Sequence, residues 1–361
     1  MHRHTVKITF LITVLATTLA LLLAYFLMPK AVATVGLSPE AQRKGTVPVL
    51  PAPLPEKRAT LIAVGDIMLS RSVAMAIRKA GDVRYPFVHT RDLLHNADFV
   101  FANLETAITE GRVIKPGEMN FRADPNTVDG LKDAGITVVS LANNHVPNFG
   151  RKGILDTIAF LDAVEIAHAG AGKDEAAAIA PAIIERGGIR FAFLAFNDTD
   201  VVPDSYGAAP KRAGTMLMDT KKLATAIADA RTRVDIVIVS MHSGTEYVHK
   251  PNSHQTSFAH AAIDAGADMV LGHHPHVVQT FEMYKNKPII YSLGNFVFDQ
   301  DWSEDTKKGL AARITFGEHG AERLEFIPIY SAKTGQPIIA PDDIRKEILK
   351  RLGVSDEIIL Q

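Results

Sequence analysis

Met269-Val270-Leu271-Gly272-His273-His274-Pro275-His276 is a short apolar run that ends in three imidazoles set around one proline. The run is too short for an independent helix and reads as a buried strand. Three neighbouring imidazoles repel one another when charged and serve little packing purpose. At the end of a buried strand they point to a metal centre.

The same arrangement recurs outward along the chain. Apolar runs at 60–64, 98–101, 137–141 and 235–240 lead into four polar loops. These are Gly65-Asp66, Asn103-Leu104-Glu105, Asn143-Asn144-His145 and His242-Ser243-Gly244-Thr245-Glu246. Further strands are expected at 191–196 and 288–292, and a late hairpin at 310–316 and 322–329, joined around Gly317 and Gly320. Helices are expected at 125–134, 154–164, 221–231 and 255–265. Gly135 and Gly266 stand just past two of them, as C-terminal caps do. Strands alternating with helices predict an α/β fold. In such sheets ligands collect at the carboxyl ends of the strands. Five converging loops would bring Asp66, Glu105, Glu246, the Asn144 amide and several histidines to one crevice.

Each residue alone has a blander reading. Asp66 would cap a helix over 68–79, Asn143-Asn144 would make a turn, and His242 would be a core histidine. Glu105 or Glu246 alone would be a solvated carboxylate. Their coincidence favours one or two divalent transition-metal ions. Nitrogen and oxygen ligands without thiolate suit Mn, Fe or Zn better than Mg. Two ions ~3.5–4 Å apart can hold the attacking and leaving oxygens of a phosphoryl transfer. His145 can then protonate the leaving group. Arg71 and Arg122 are candidates for gripping an anionic substrate, against the commoner role of a solvated arginine. His89, His95, His168, His254 and His260 read as surface or packing residues.

The whole chain narrows the class. Its 361 residues carry 39 basic and 40 acidic side chains, a formal net charge of -1. That balance leaves no electrostatic footprint for nucleic acid. With no cysteine, a disulfide scaffold, a thiolate metal site and a cysteine nucleophile are excluded. Residues 8–28 form an apolar run long enough to span a hydrocarbon core of roughly 30 Å. Arg3 and Lys7 precede it, so 1–7 is expected in the cytoplasm and the rest outside. The rival is a cleaved signal at Ala31-Val32-Ala33, for which the apolar run is long. A Pro-rich linker follows at 29–58, then one large domain at 59–340 and a C-terminal helical extension at 341–361.

The loops resemble those of the CapA family of poly-γ-glutamate capsule synthesis proteins. The matching stretches are Ala63-Val64-Gly65-Asp66-Ile67-Met68, Ala102-Asn103-Leu104-Glu105, Leu141-Ala142-Asn143-Asn144-His145, His242-Ser243-Gly244-Thr245-Glu246-Tyr247, Gly266 through Val277, and Tyr291-Ser292-Leu293-Gly294-Asn295-Phe296. The resemblance implies a calcineurin-like metallophosphoesterase fold: a two-sheet sandwich flanked by helices, preceded by a single-pass transmembrane helix. It implies Asp66, Glu105, Asn144, His242, His274 and His276 as metal ligands and His145 as general acid. Asn103, Asn143, Glu246, His273 and Asn295 are further candidates around the site. Departures are plain. Met68 stands where metallophosphoesterases have a histidine, Asn103-Leu104-Glu105 where they have Gly-Asp, and Asn148 where the family has an aspartate. The implied partners are the membrane, an anionic polymer such as poly-γ-glutamate, and polyglutamate synthase subunits. Two functions follow: a metal-dependent hydrolase, or a non-catalytic, metal-containing polymer-binding subunit. An envelope phosphoesterase unrelated to polyglutamate is a further alternative.

Overall fold

The apolar runs are continuous because both faces of their strands are covered. In the strand Ala59–Ile67, Leu61 and Ala63 pack toward a second sheet, while Ile62 and Val64 pack toward helices. The computed structural model describes residues 56–355 and 357–360. The expected segments 1–7 and 8–28, and all but the end of the 29–58 linker, lie outside the described residues. Among the described residues, no helix is long and apolar enough to cross a membrane.

Two sheets lie face to face. The first contains nine strands and runs in the order Gln336–Ile339, Gly320–Lys333, Lys308–Gly317, Ala59–Ile67, Phe99–Leu104, Ile136–Ser140, Ala167–Ala169. Asn295–Val297 adds parallel to the end of Ala59–Ile67, and Glu357–Ile359 pairs with Gly320–Lys333. The second contains six strands: Phe281–Tyr284, Lys287–Ile290, Met269–His273, Ile236–His242, Ile189–Asn197, Ala182–Arg186. Phenylalanines fill the space between the sheets: Phe101 stacks on Phe193 at 5.1 Å, and Phe99 meets Phe191 at 4.8 Å. Burying each such ring contributes about 1.5–3 kcal/mol.

Helices cover the outer faces. Val73 and Ile77 of Arg71–Ala80, with Ile154 and Leu161 of Gly150–Ala163, pack on the first sheet. Leu223 and Ile227 of Thr220–Arg231, with Phe258 and Ala262 of Ser253–Asp264, pack on the second. Side chains that close orphan N–H groups start the latter two. Asp219 accepts from Lys221 and Lys222, and Asn252 with Gln255 forms a capping box.

Several elements differ from the sequence reading. The first helix starts at Arg71 with Ser70 at its cap, so Asp66 is free of that duty. The hairpin Ala182–Arg186 with Ile189–Asn197 was not expected. It turns on Gly187 and Gly188, both at positive φ, as tight hairpins require. The segment 341–361 holds the helix Asp342–Leu352, whose Ile348 and Leu352 are buried, and then the paired strand Glu357–Ile359.

One crossing holds the two sheets in register at their carboxyl ends. The segment Tyr291–Gly294 passes so close that a Cβ on Gly65 would lie 1.9 Å from the Gly294 carbonyl oxygen. A Cβ on Gly272 would lie 1.9 Å from that of Tyr291. The Asp66 N–H donates to the Gly294 carbonyl at 3.0 Å, and the Leu293 N–H to that of Gly272 at 3.1 Å.

Candidate metal centre

Glu105 follows the strand Phe99–Leu104 directly and is fully buried. Its Oε1 has no hydrogen-bond partner. Three imidazole Nε2 atoms surround that oxygen: His145 at 3.8 Å, His276 at 3.9 Å and His242 at 4.0 Å. These separations are too long for hydrogen bonds. They suit atoms that share a cation, since two ligands each ~2.0–2.2 Å from one ion sit ~3–4 Å apart. His274 Nδ1 is likewise buried without a partner. The residues therefore fit a divalent ion bound through nitrogen and oxygen.

Both sheets supply the ring. Asp66, Asn103 and Glu105 come from the ends of adjacent strands of the first sheet. His242 and His273 are the last residues of adjacent strands of the second. Among the described residues, two of the three groups whose own ligand atoms lie within 4.8 Å of one another belong here: Asp66, Glu105 and His242, and Glu246, His274 and His276; the third is Asp198, Asp200 and His254. His274 and His276 both have positive φ, at 98° and 58°. Such backbone costs of order 1–3 kcal/mol per residue and is held at functional sites by its surroundings.

Asparagines fix the side chains. Asn103 Nδ2 donates to Asp66 Oδ1 at 2.8 Å and lies 3.3 Å from His242 Nδ1. Asn143 donates to Asn103 Oδ1 at 3.0 Å and accepts the backbone N–H groups of His145 and Val146. Asn144 Oδ1 is 3.0 Å from His242 Nε2. Asn295 donates to the Thr306 carbonyl at 3.0 Å, so its Oδ1, 3.0 Å from His276 Nδ1, accepts from that ring. This leaves His276 Nε2 facing Glu105.

Electrostatics favour a cation at the ring. Burial pushes the Glu105 carboxyl well above the ordinary range, and the charges of Asp66 and Glu246 push it further. Burial opposes the charge of Asp66 too, but His273 and His276 hold its carboxyl well below the usual value. Burial lowers His145 and His274 to about 3, and His242 well below its usual value. Neutral imidazoles are what a cation needs.

A cleft of about 250 Å³ opens onto the ring, lined by Arg71, His145, Glu246, Tyr247, His276 and Trp302 among others. The two candidate substrate arginines part company. Arg71 lines the cleft, but its guanidinium is paired with Asp299 and lies 4.4 Å over the Phe121 ring. Arg122 is 1% exposed and does not reach the cleft. It donates to the carbonyls of Arg112 and Thr109 at 2.8 and 2.7 Å and to Asp124 at 2.7 Å. Sequence reasoning missed Asp299, Tyr247, Trp302 and Met119. Trp302 and Met119 are each 66% exposed, and Tyr247 meets Trp302 edge-on at 5.0 Å. A lone tryptophan in the polar stretch Gln300-Asp301-Trp302-Ser303-Glu304 was the available signal.

Fold and centre together define a two-sheet α/β protein with a cluster of metal-ligand side chains at its strand ends. Residues 60–300 match the family described as bacterial capsule synthesis protein PGA_cap, and the chain belongs to that family. It is 35% identical over 289 residues to the capsule biosynthesis protein CapA of Bacillus anthracis, covering 78% of this chain and 69% of the relative. It is 32% identical over 298 residues to the PGA biosynthesis protein CapA of Bacillus subtilis, covering 82% and 76%. The calcineurin-like phosphoesterase YfkN of Bacillus subtilis superposes with a TM-score of 0.42 at 11% identity, covering 83% of this chain and 97% of that one.

Proposed function

We propose that the chain serves the synthesis or export of poly-γ-glutamate at the cell envelope, and that its centre is a divalent-cation hydrolase site. The observation that carries the chemical half is the unpartnered Glu105 Oε1 ringed by three imidazole Nε2 atoms. The relatives named for capsule and PGA biosynthesis support the pathway half. In this reading Asp66, Glu105, Asn144, His242, His274 and His276 hold one or two ions of Mn, Fe or Zn, with Glu246 at the second position. Such an ion, when bound, polarises a phosphoryl or acyl oxygen and activates water. The chain's own residues do the rest. His145 exchanges a proton beside the ring, and Phe121 and the Arg71–Asp299 pair wall that side of the cleft. The run at 8–28, with Arg3 and Lys7 before it, supports a domain tethered outside the cytoplasmic membrane beside polyglutamate synthase subunits.

The exposed Trp302, Tyr247 and Met119 favour a second reading, in which the cleft holds polymer without cutting it. Two measurements separate the readings. Elemental analysis of the full-length chain should find roughly one or two transition-metal ions, and Glu105→Gln should empty at least one position. A host strain lacking the gene should make less surface polymer, and His145→Ala should fail to restore it while keeping fold and metal. Full restoration by His145→Ala makes the protein a binding subunit. Normal polymer in the deletion strain, with phosphoester cleavage by the pure protein, removes the polyglutamate assignment.

A further inference from the structure

The proton on His145 can be placed from its neighbours. Asn148 Oδ1 accepts the Phe121 backbone N–H at 2.8 Å. A backbone N–H can only donate, so the atom facing it is oxygen and not nitrogen. The other end of the same amide agrees: Asn148 Nδ2 donates to the Asn144 carbonyl, which can only accept, at 3.3 Å. The orientation of Asn148 is thus fixed from both sides by backbone groups. His145 Nδ1 lies 2.8 Å from the same Oδ1. Facing an acceptor, Nδ1 must carry the hydrogen. In a neutral imidazole the other nitrogen is then bare, and that nitrogen, Nε2, faces Glu105 Oε1 at 3.8 Å.

The ring has little freedom to turn away. Phe121 stacks on His145 with centroids 3.6 Å apart and planes within 17°. The opposite face of Phe121 is held by Arg71, whose guanidinium carbon lies 4.4 Å from the ring centre. One residue therefore both orients Asn148 through its backbone and clamps the imidazole through its side chain.

We propose that Asn148 is a positioning residue that holds His145 as the Nδ1–H tautomer, so that His145 meets the centre with a bare Nε2. This is the orientation a metal-site histidine adopts when its far nitrogen is tied to an oxygen acceptor. An aspartate at 148 would add a charge that favours the doubly protonated ring, whereas the neutral amide sets the tautomer alone. The inference deepens the hydrolase reading, but its test does not depend on turnover or on metal content.

Nitrogen NMR of the metal-free full-length chain, labelled at histidine and assigned with His145→Gln, reads the tautomer directly. In the wild type, at a pH where the ring is neutral, we expect His145 Nδ1 in the protonated range and Nε2 in the bare range. Asn148→Ala should shift both signals toward each other, because the ring loses its fixed acceptor. Asn148→Asp, which keeps an acceptor in place, should retain the Nδ1 proton. A wild-type spectrum with the proton on Nε2 overturns the proposal, and so does an Asn148→Ala spectrum identical to wild type. The wild-type spectrum decides even if Asn148→Ala fails to fold.

Discussion

Arg71 and Asp299 neutralise each other beneath the cleft: both side chains are under a tenth exposed, at 9% and 5%. Asp299 also accepts the Ser72 N–H at 3.1 Å, so it fixes the first turn of the helix that begins at Arg71. Removing one partner of a buried pair leaves an uncompensated charge. Asp299→Asn is expected to cost about 3–5 kcal/mol of stability in denaturant unfolding. A loss below about 1 kcal/mol, the range of exposed pairs, would show that water reaches the guanidinium.

The pH dependence of the metal-free chain follows from its buried neutral histidines. His274 falls from 6.5 to about 3 because of burial and then the His276 charge. The unfolded chain binds its proton first, so stability present above the unfolded value is lost as pH falls from about 6.5 toward about 3. Each such histidine contributes a slope of about 1.4 kcal/mol per pH unit within that window. Glu105 acts with the opposite sign: its raised carboxyl stabilises the protonated folded form, and that contribution disappears as pH rises through the folded value. His274→Gln should therefore flatten the acid side of the stability profile relative to wild type, measured by urea unfolding across that range. An unchanged slope would show that His274 is solvated.

Gly65→Ala tests the crossing of Tyr291–Gly294. The added Cβ would fall 1.9 Å from a backbone carbonyl oxygen, which no rotamer change relieves. Overpacking of this kind costs about 1–3 kcal/mol. Here it also pushes Gly294 away from Asp66, so metal content should drop with stability. Retention of full metal in a stable variant would mean that the crossing tolerates movement.

Trp302→Ala, alone and with Tyr247→Ala, addresses the cleft walls. Neither side chain belongs to the ring around Glu105, so metal content should stay at the wild-type level. Binding of poly-γ-glutamate to the full-length chain, measured by calorimetry, should weaken about tenfold, or roughly 1.4 kcal/mol. Unchanged affinity would assign the exposed aromatics no part in holding polymer.

Much of the framework could be read before the structure because burial on both faces writes itself as unbroken apolar runs. The strands Ala59–Ile67, Ile236–His242 and Met269–His273 are of this kind, and the polar residues after them converge as the strand-end rule predicts. What stayed hidden depends on pairs distant in sequence. Nothing local marks Gly65 and Gly272 as the places where one segment crosses two sheets. Arg122 read as a solvated arginine or a candidate anion grip because, Asp124 apart, its partners are backbone carbonyls, and carbonyl positions are not encoded in residue identity. Asp299 and Trp302 lie in a loop beyond the last ligand motif and enter the cleft only through tertiary packing.

The pairing of Asn295 with Asp66 has a further consequence for timing. The ring around Glu105 draws on the first long strand of the domain, on the second sheet, and on the strand Asn295–Val297. Glu246, His274 and His276 fall within one stretch of the second sheet, but Asp66, Glu105 and His242 draw on both sheets. As the polypeptide emerges and condenses, that second group stays scattered until the two sheets dock. Completing the centre is then a late event in maturation, and a chain truncated before the second sheet offers metal no more than part of it.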